Sequence, residues 1–290
     1  MISGLGVAMV TPFDAKGQID WDATHKLVEY LVAGKTDFLV VLGTTGEAPT
    51  LGKEEQAEFV REVVKSVRKR IPIVVGKSSN NTALLCRELE VFDYEGVDYI
   101  LTSTPSYNKP NARGLYRHFE AVAGVAKVPI ILYNVPGRTG VNLPAEVTLK
   151  LANTFKNIVG IKEASGDLAQ AFRIIVHKPE HFVVLSGNDS QTIPMMALGA
   201  DGVISVLGNV VPQACSYAIH LAADKKYREA ALAQDLLFEL DKLLFEEGNP
   251  VGIKCAMSLK GLCSNNLRLP LVSASEDLQQ RIECVLKQLV

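Results

Sequence analysis

Cysteine is scarce in this sequence: Cys86, Cys215, Cys255, Cys263 and Cys284 are the only five, and no two form a Cys-x-x-Cys pair. That spacing excludes a disulfide framework and a zinc knuckle, so buried free thiols are expected. No uninterrupted apolar run approaches the roughly 20 residues that span a bilayer. The apolar start, Gly4 to Val10, has no basic residue before it and no small-residue cleavage site after it. It reads as a strand rather than a signal peptide, and a cytoplasmic location is expected. An excess of one charge is also lacking. With 30 basic and 32 acidic side chains the formal net charge is -2, which predicts neither a nucleic-acid partner nor a membrane surface. The histidines make no metal site, since His177 and His181, four apart, are separated by the helix-breaking Pro179. No Gly-x-Gly-x-x-Gly closes a strand, which removes a dinucleotide site.

What is present is a globular composition, 48% hydrophobic and 21% charged, arranged as a repeated unit of short apolar run, loop and amphipathic helix. The runs are Gly4 to Val10, Phe38 to Leu42, Pro72 to Gly76, Tyr99 to Thr102, Pro129 to Tyr133, Ile158 to Lys162, Phe182 to Ser186 and Gly202 to Val206. Eight such strands, each followed by a helix, predict a (β/α)8 TIM barrel of the α/β class rather than an open doubly wound sheet. Asp20 is placed to cap a helix with Leu27, Val28, Leu31 and Val32 on one face. Beyond Pro212 the strands stop. The expected division is a catalytic barrel over residues 1–224 and a C-terminal helical appendage over 225–290, packed beside it.

In a barrel, chemistry collects at the carboxyl ends of the strands. Here those ends are polar: Gly43-Thr44-Thr45-Gly46-Glu47, Thr102 to Asn108, Tyr133-Asn134, Lys162 and Gly187-Asn188-Asp189. Lys162 ends a strand buried on both faces, and the two-residue strand period sets it opposite Glu163, so its neighbour does not neutralise it. Burial disfavours the charged form of an amine, and a neutral amine attacks carbonyls to form Schiff bases. A strand-end lysine that reaches water is the competing reading. Gly43 and Gly46 leave backbone N–H groups open between two hydroxyls, which suits a small carboxylate. Tyr133 is one βα unit from Lys162 and suits proton relay, and Arg138 suits a second carboxylate. Lys77, one residue past its strand, is the rival nucleophile and is expected in solvent.

Gly43-Thr-Thr-Gly-Glu47, Tyr133-Asn-Val-Pro-Gly-Arg-Thr139 and Gly160-Ile-Lys-Glu-Ala164 resemble, in order and spacing, the dihydrodipicolinate synthase (4-hydroxy-tetrahydrodipicolinate synthase) family, within the pyruvate-dependent class I aldolase and N-acetylneuraminate lyase superfamily. The resemblance runs over nearly the whole chain. It implies a lyase that condenses pyruvate with L-aspartate 4-semialdehyde on the diaminopimelate route to lysine, without an external cofactor, as a homotetramer built from two dimers. It makes Lys162 the Schiff-base lysine and Tyr133 the proton shuttle, linked through Thr44 to Tyr107 from a neighbouring subunit. It gives Thr45 the pyruvate carboxylate and Arg138 the carboxylate of the semialdehyde. It also puts the Ile204 carbonyl beside the lysine and Gly187 in the substrate-binding set.

Sibling families, N-acetylneuraminate lyase and keto-sugar-acid aldolases, share the barrel and the lysine. A catalytically inactive barrel kept for ligand binding is the alternative of another class, and a pyridoxal-phosphate enzyme would also use a lysine imine. Arg138 and the Thr44-Thr45 pair favour the synthase. Lysine-sensitive members resemble this chain at Asn80, but have glutamate, histidine and tyrosine where Leu84, Gln56 and Ser106 stand. Weak or absent inhibition by L-lysine is therefore expected, unless Glu54, Glu55 or Glu58 supplies the missing anion.

Overall fold

The computed structural model describes residues 2–289. Eight parallel strands close into one barrel in sequence order: β1 Gly4–Ala8, β2 Phe38–Val41, β3 Ile73–Gly76, β4 Tyr99–Ser103, β5 Ile130–Asn134, β6 Ile158–Glu163, β7 Val183–Ser186 and β8 Gly202–Ser205. Each lies within two residues of its predicted run. Helices α1 Trp21–Ala33, α2 Lys53–Val67, α3 Thr82–Val91 and α4 Ala112–Val125 follow the first four strands. A single turn, α5 Pro136–Thr139, then precedes α6 Ala145–Thr154. The remaining outer helices are α7 Leu168–His177, α8 Thr192–Ala197 and α9 Pro212–Ala223. Short polar side chains start several of these helices by accepting from otherwise unpaired N–H groups, as Asp20 does from Ala23 and Asn81 from Leu84.

Strand alternation divides the apolar side chains into two cores. Leu5, Val7, Leu39, Val41, Ile100, Leu132, Ile161 and Val184 face the helices. Phe38, Val40, Val74, Leu101, Ile131, Leu185 and Ile204 fill the barrel interior. The interior is packed closely enough that a Cβ on Gly6 would come within 2.1 Å of the Phe38 ring, so this strand position tolerates only glycine.

Three more helices follow: α10 Tyr227–Glu246, α11 Val251–Leu259 and α12 Glu276–Gln288, the last capped by Ser275. They do more than pack beside the barrel. Lys254 of α11 and Glu47 after β2 form a 2.5 Å ion pair with both side chains fully buried. Two ions out of water cost several kcal/mol each unless paired and hydrogen-bonded. Here the Lys254 ammonium also donates to the Asn266 carbonyl (2.9 Å) and lies 4.1 Å from the Phe13 ring centroid. Burial holds the Lys254 pKa below the ordinary lysine value, with Glu47 opposing that shift. The second Glu47 oxygen accepts from the Arg268 N–H (3.1 Å), and the Arg268 guanidinium grips Glu55. These contacts fasten the C-terminal segment to the loop after β2. Among the described residues no helix is long and apolar enough to cross a membrane.

Candidate active site

At the carboxyl end of the barrel the loops after several strands surround a cavity of about 60 Å3. This is far below the roughly 300–1,000 Å3 of a site for a drug-sized ligand. Its wall carries Gly43, Thr44 and Thr45 from the loop after β2, Tyr133 and Arg138 from β5 and α5, Lys162 from β6, and Gly187 and Asn188 after β7.

Lys162 points into the barrel while Ile161 and Glu163 point out, as the strand period predicts. It is 5% exposed, and no acid among the described residues pairs with it. Its ammonium instead lies 4.6 Å from the centroid of the Tyr133 ring. That contact follows from register, because Tyr133 and Lys162 are direct partners on β5 and β6. Cation–π attraction stabilises such a contact by about 0.5–2 kcal/mol. The nitrogen is therefore placed against the ring with no acid paired to it among the described residues. Gly187 makes room for the lysine stem, since a Cβ there would come within 3.1 Å of Lys162 Cε and 2.4 Å of Ala164 Cβ.

The loop after β2 forms a single 3-10 turn over Thr44–Gly46. The Gly46 N–H donates to the Gly43 carbonyl (3.1 Å), which corrects the expectation that it stays open for a ligand. The first N–H groups of such a turn have no partner within it, and Thr44 and Thr45 hold those positions. Thr45 is buried, and its hydroxyl accepts from Asn249 Nδ2 at 2.9 Å. Arg138 stands at the exposed rim, where one guanidinium N–H reaches the Asn249 carbonyl at 3.3 Å. Asn249 thus touches both residues assigned to carboxylates, and Phe245 from the end of α10 lines the same wall.

Sequence reasoning missed Asn249 and Phe245. The Gly248-Asn249-Pro250 break between helices was visible, but its return to the barrel mouth depends on the distant Lys254–Glu47 pair. Ile204 is fully buried in the barrel interior, and the cavity is lined by Val206 from that strand end instead. Tyr107 is 86% exposed and lies outside the cavity lining, although its N–H is tied to the Thr139 carbonyl (3.3 Å). Tyr133 and Thr44 share the cavity wall with no hydrogen bond between them among the described residues.

Lys77 is not in solvent, which corrects the reading of it as a freely hydrated end of β3. It is half-buried, donates to Gln56 Oε1 at 3.1 Å and lies 5.1 Å from the Phe92 ring centroid. Burial lowers its pKa below the ordinary lysine value, against the pull of Glu88. Lys77 is nevertheless outside the cavity, so Lys162 is the amine with the geometry for imine chemistry.

A family model described as the dihydrodipicolinate synthetase family matches residues 1–289. A 4-hydroxy-tetrahydrodipicolinate synthase of Parabacteroides distasonis is 46% identical over 288 residues, 99% of this chain and 97% of that protein. The solved dihydrodipicolinate synthase of Thermotoga maritima superposes with a TM-score of 0.97 at 38% identity, covering 99% of this chain and 98% of the other. A chloride-inhibited dihydrodipicolinate synthase of Acinetobacter baumannii, solved in complex with pyruvate, gives 0.96 at 39% identity, with 99% and 98% covered. Matched by the family model over residues 1–289 and by relatives of this identity over nearly its whole length, this chain belongs to the dihydrodipicolinate synthetase family.

Proposed function

We propose that Lys162 condenses with the ketone of pyruvate, and that the resulting enamine adds to the aldehyde of L-aspartate 4-semialdehyde. The chain is a lyase that forms 4-hydroxy-tetrahydrodipicolinate, on the diaminopimelate route to lysine. One observation carries the assignment of the amine: a lysine in the cavity wall, unpaired by any acid among the described residues and set against a tyrosine ring. Imine formation and its tautomerisation move protons on and off nitrogen and carbon. A phenol beside the amine is suited to carry them. The Thr44 and Thr45 N–H groups and the Thr45 hydroxyl suit the pyruvate carboxylate. Arg138, with its forked donors at the rim, suits the carboxylate of the semialdehyde. Gly187 leaves space for the imine carbon beside the lysine stem, and the Ile204 carbonyl, on β8 two strands from Lys162, is assigned to the substrate-binding set. No step in this scheme uses an external cofactor.

Tyr107 completes the proton relay from a neighbouring chain in this proposal, which makes the dimer the smallest complete unit and a homotetramer of two such dimers the expected assembly. Its high exposure within one chain and its positive φ of 71° support presentation to a partner. The division into a barrel over 1–224 and a helical domain over 225–290, and a cytoplasmic location, belong to the same proposal.

Weak or absent inhibition by L-lysine is supported by the side chains of α2 and α3. Gln56 is fully engaged, donating to the Ala48 and Leu51 carbonyls and accepting from Lys77. Glu55 is held by Arg268, and Leu84 offers no anion. A missing charged hydrogen bond of about 1.5–3 kcal/mol weakens binding by roughly tenfold to a hundredfold.

Purified protein should consume pyruvate and L-aspartate 4-semialdehyde together and leave N-acetylneuraminate uncleaved. Lys162→Arg should abolish turnover, because arginine stays protonated. Cleavage of the sugar acid at a comparable rate would move the chain to the sibling class. Mixing Tyr107→Phe with Lys162→Arg subunits should restore activity above that of either alone; no recovery after confirmed subunit exchange would remove Tyr107 from the partner's site. Titration with L-lysine at sub-saturating pyruvate should give half-inhibition above a millimolar, and a lower value would show that the Gln56 and Leu84 argument is wrong.

A further inference from the structure

Directly behind the Lys162–Tyr133 contact, on the outer face of the same two strands, lies a second polar constellation that the chemistry above does not use. Asn134 follows Tyr133 and Glu163 follows Lys162, and the two are register partners as their neighbours are. Asn134 and Glu163 are both buried. The Asn134 amide nitrogen is shared between Glu163 Oε1 (3.1 Å) and Oε2 (3.0 Å), and also donates to Asn142 Oδ1 (2.8 Å). Glu163 Oε1 accepts from the Ser165 N–H (2.7 Å), and Oε2 from Gln170 Nε2 (3.0 Å). Asn134 Oδ1 accepts from the Leu143 N–H (2.8 Å). Every recorded partner of Glu163 is an N–H donor from a neutral group, an environment that matches a carboxylate and mismatches an amide.

The reason for so many bonds at this point lies four residues upstream. Ile130 pairs with Ile158 but Ile131 pairs with Gly160, so β6 carries one extra residue before the lysine. A one-residue shift of β6 past this bulge would turn Lys162 out of the barrel and Glu163 into it, and it would break every bond of the buried network. We propose that Asn134 and Glu163 form a register lock beyond this bulge, positioning Lys162 against Tyr133 from the opposite face of the sheet. Glu163 is a positioning residue: its side chain points away from the cavity and acts through the strand. The lock rests on the reading of Lys162 as the imine lysine only for its effect on rate; its effect on geometry is independent of that reading.

The test uses the full-length protein. Glu163→Gln keeps the shape of the side chain but turns one acceptor into a donor that faces other donors. It should slow borohydride trapping of pyruvate on the protein at least tenfold at saturating pyruvate, with KM for pyruvate changed less than threefold. In a crystal structure of that variant the distance from Lys162 Nζ to the Tyr133 ring should exceed the present 4.6 Å. Gln170→Ala, which removes one donor at the half-buried end of the network, should act in the same direction by a few-fold. Asn134→Asp alone should be worse, and Asn134→Asp with Glu163→Gln should recover part of the trapping rate, because the amide then donates to a carboxylate again. A loss of thermal stability with trapping rate and ring distance unchanged would overturn the lock, as would the absence of rescue in a folded double variant. If the unaltered protein is not trapped by pyruvate at all, the imine reading falls, and the ring distance alone decides the lock.

Discussion

The two-residue period of β6 is the constraint on which this site depends. Three consecutive residues face alternately outward, inward and outward, so Ile161 packs under the helices, Lys162 enters the barrel and Glu163 returns to the outer face. The same period on β5 brings Tyr133 inward and Asn134 outward. An amine and a phenol therefore meet inside, while a carboxylate and an amide meet outside. Chemistry that requires a lysine free of acid is separated by one sheet thickness from an acid that the sequence places next to it. The strand geometry keeps the Glu163 carboxylate from pairing with Lys162.

The mouth of the barrel depends on a second long-range restraint. Glu47 ends the loop that carries Thr44 and Thr45, in the left-handed conformation with φ of 52°, and its carboxylate is buried against Lys254. Asn249, five residues before Lys254, reaches back to the Thr45 hydroxyl and the Arg138 side chain. The C-terminal helices and the turn between them thus supply part of the cavity wall. They hold two loops against each other, and breaking the buried ion pair would leave an uncompensated charge, which is strongly destabilising.

Much of this was legible in the sequence, for reasons that differ by element. Strands buried on both faces read as continuous apolar runs, and helix starts carry their own capping side chains, so all eight strands and the Asp20, Asn81 and Ser275 caps stand close to where local pattern puts them. The inward direction of Lys162 and Tyr133 follows from counting by two along a strand. Contacts set by residues far apart in the chain were not legible. Asn249 and Phe245 reach the cavity through helix packing, and Lys77 is covered by Gln56 and Phe92, neither adjacent to it in sequence. The Gly46 N–H was misjudged because a glycine pair suggests an open loop, whereas the backbone closes a tight turn there.

The account turns on which amine meets the ketone. Lys77 has its pKa lowered by burial, whereas Lys162 lines the cavity, and the proposal gives the reaction to Lys162. Borohydride reduction in the presence of pyruvate, followed by proteolysis and peptide mass analysis, separates the two directly. The reduced pyruvyl adduct is predicted on the peptide containing Lys162 and on no other. An adduct on Lys77, or turnover with no reducible adduct anywhere in the chain, would contradict it.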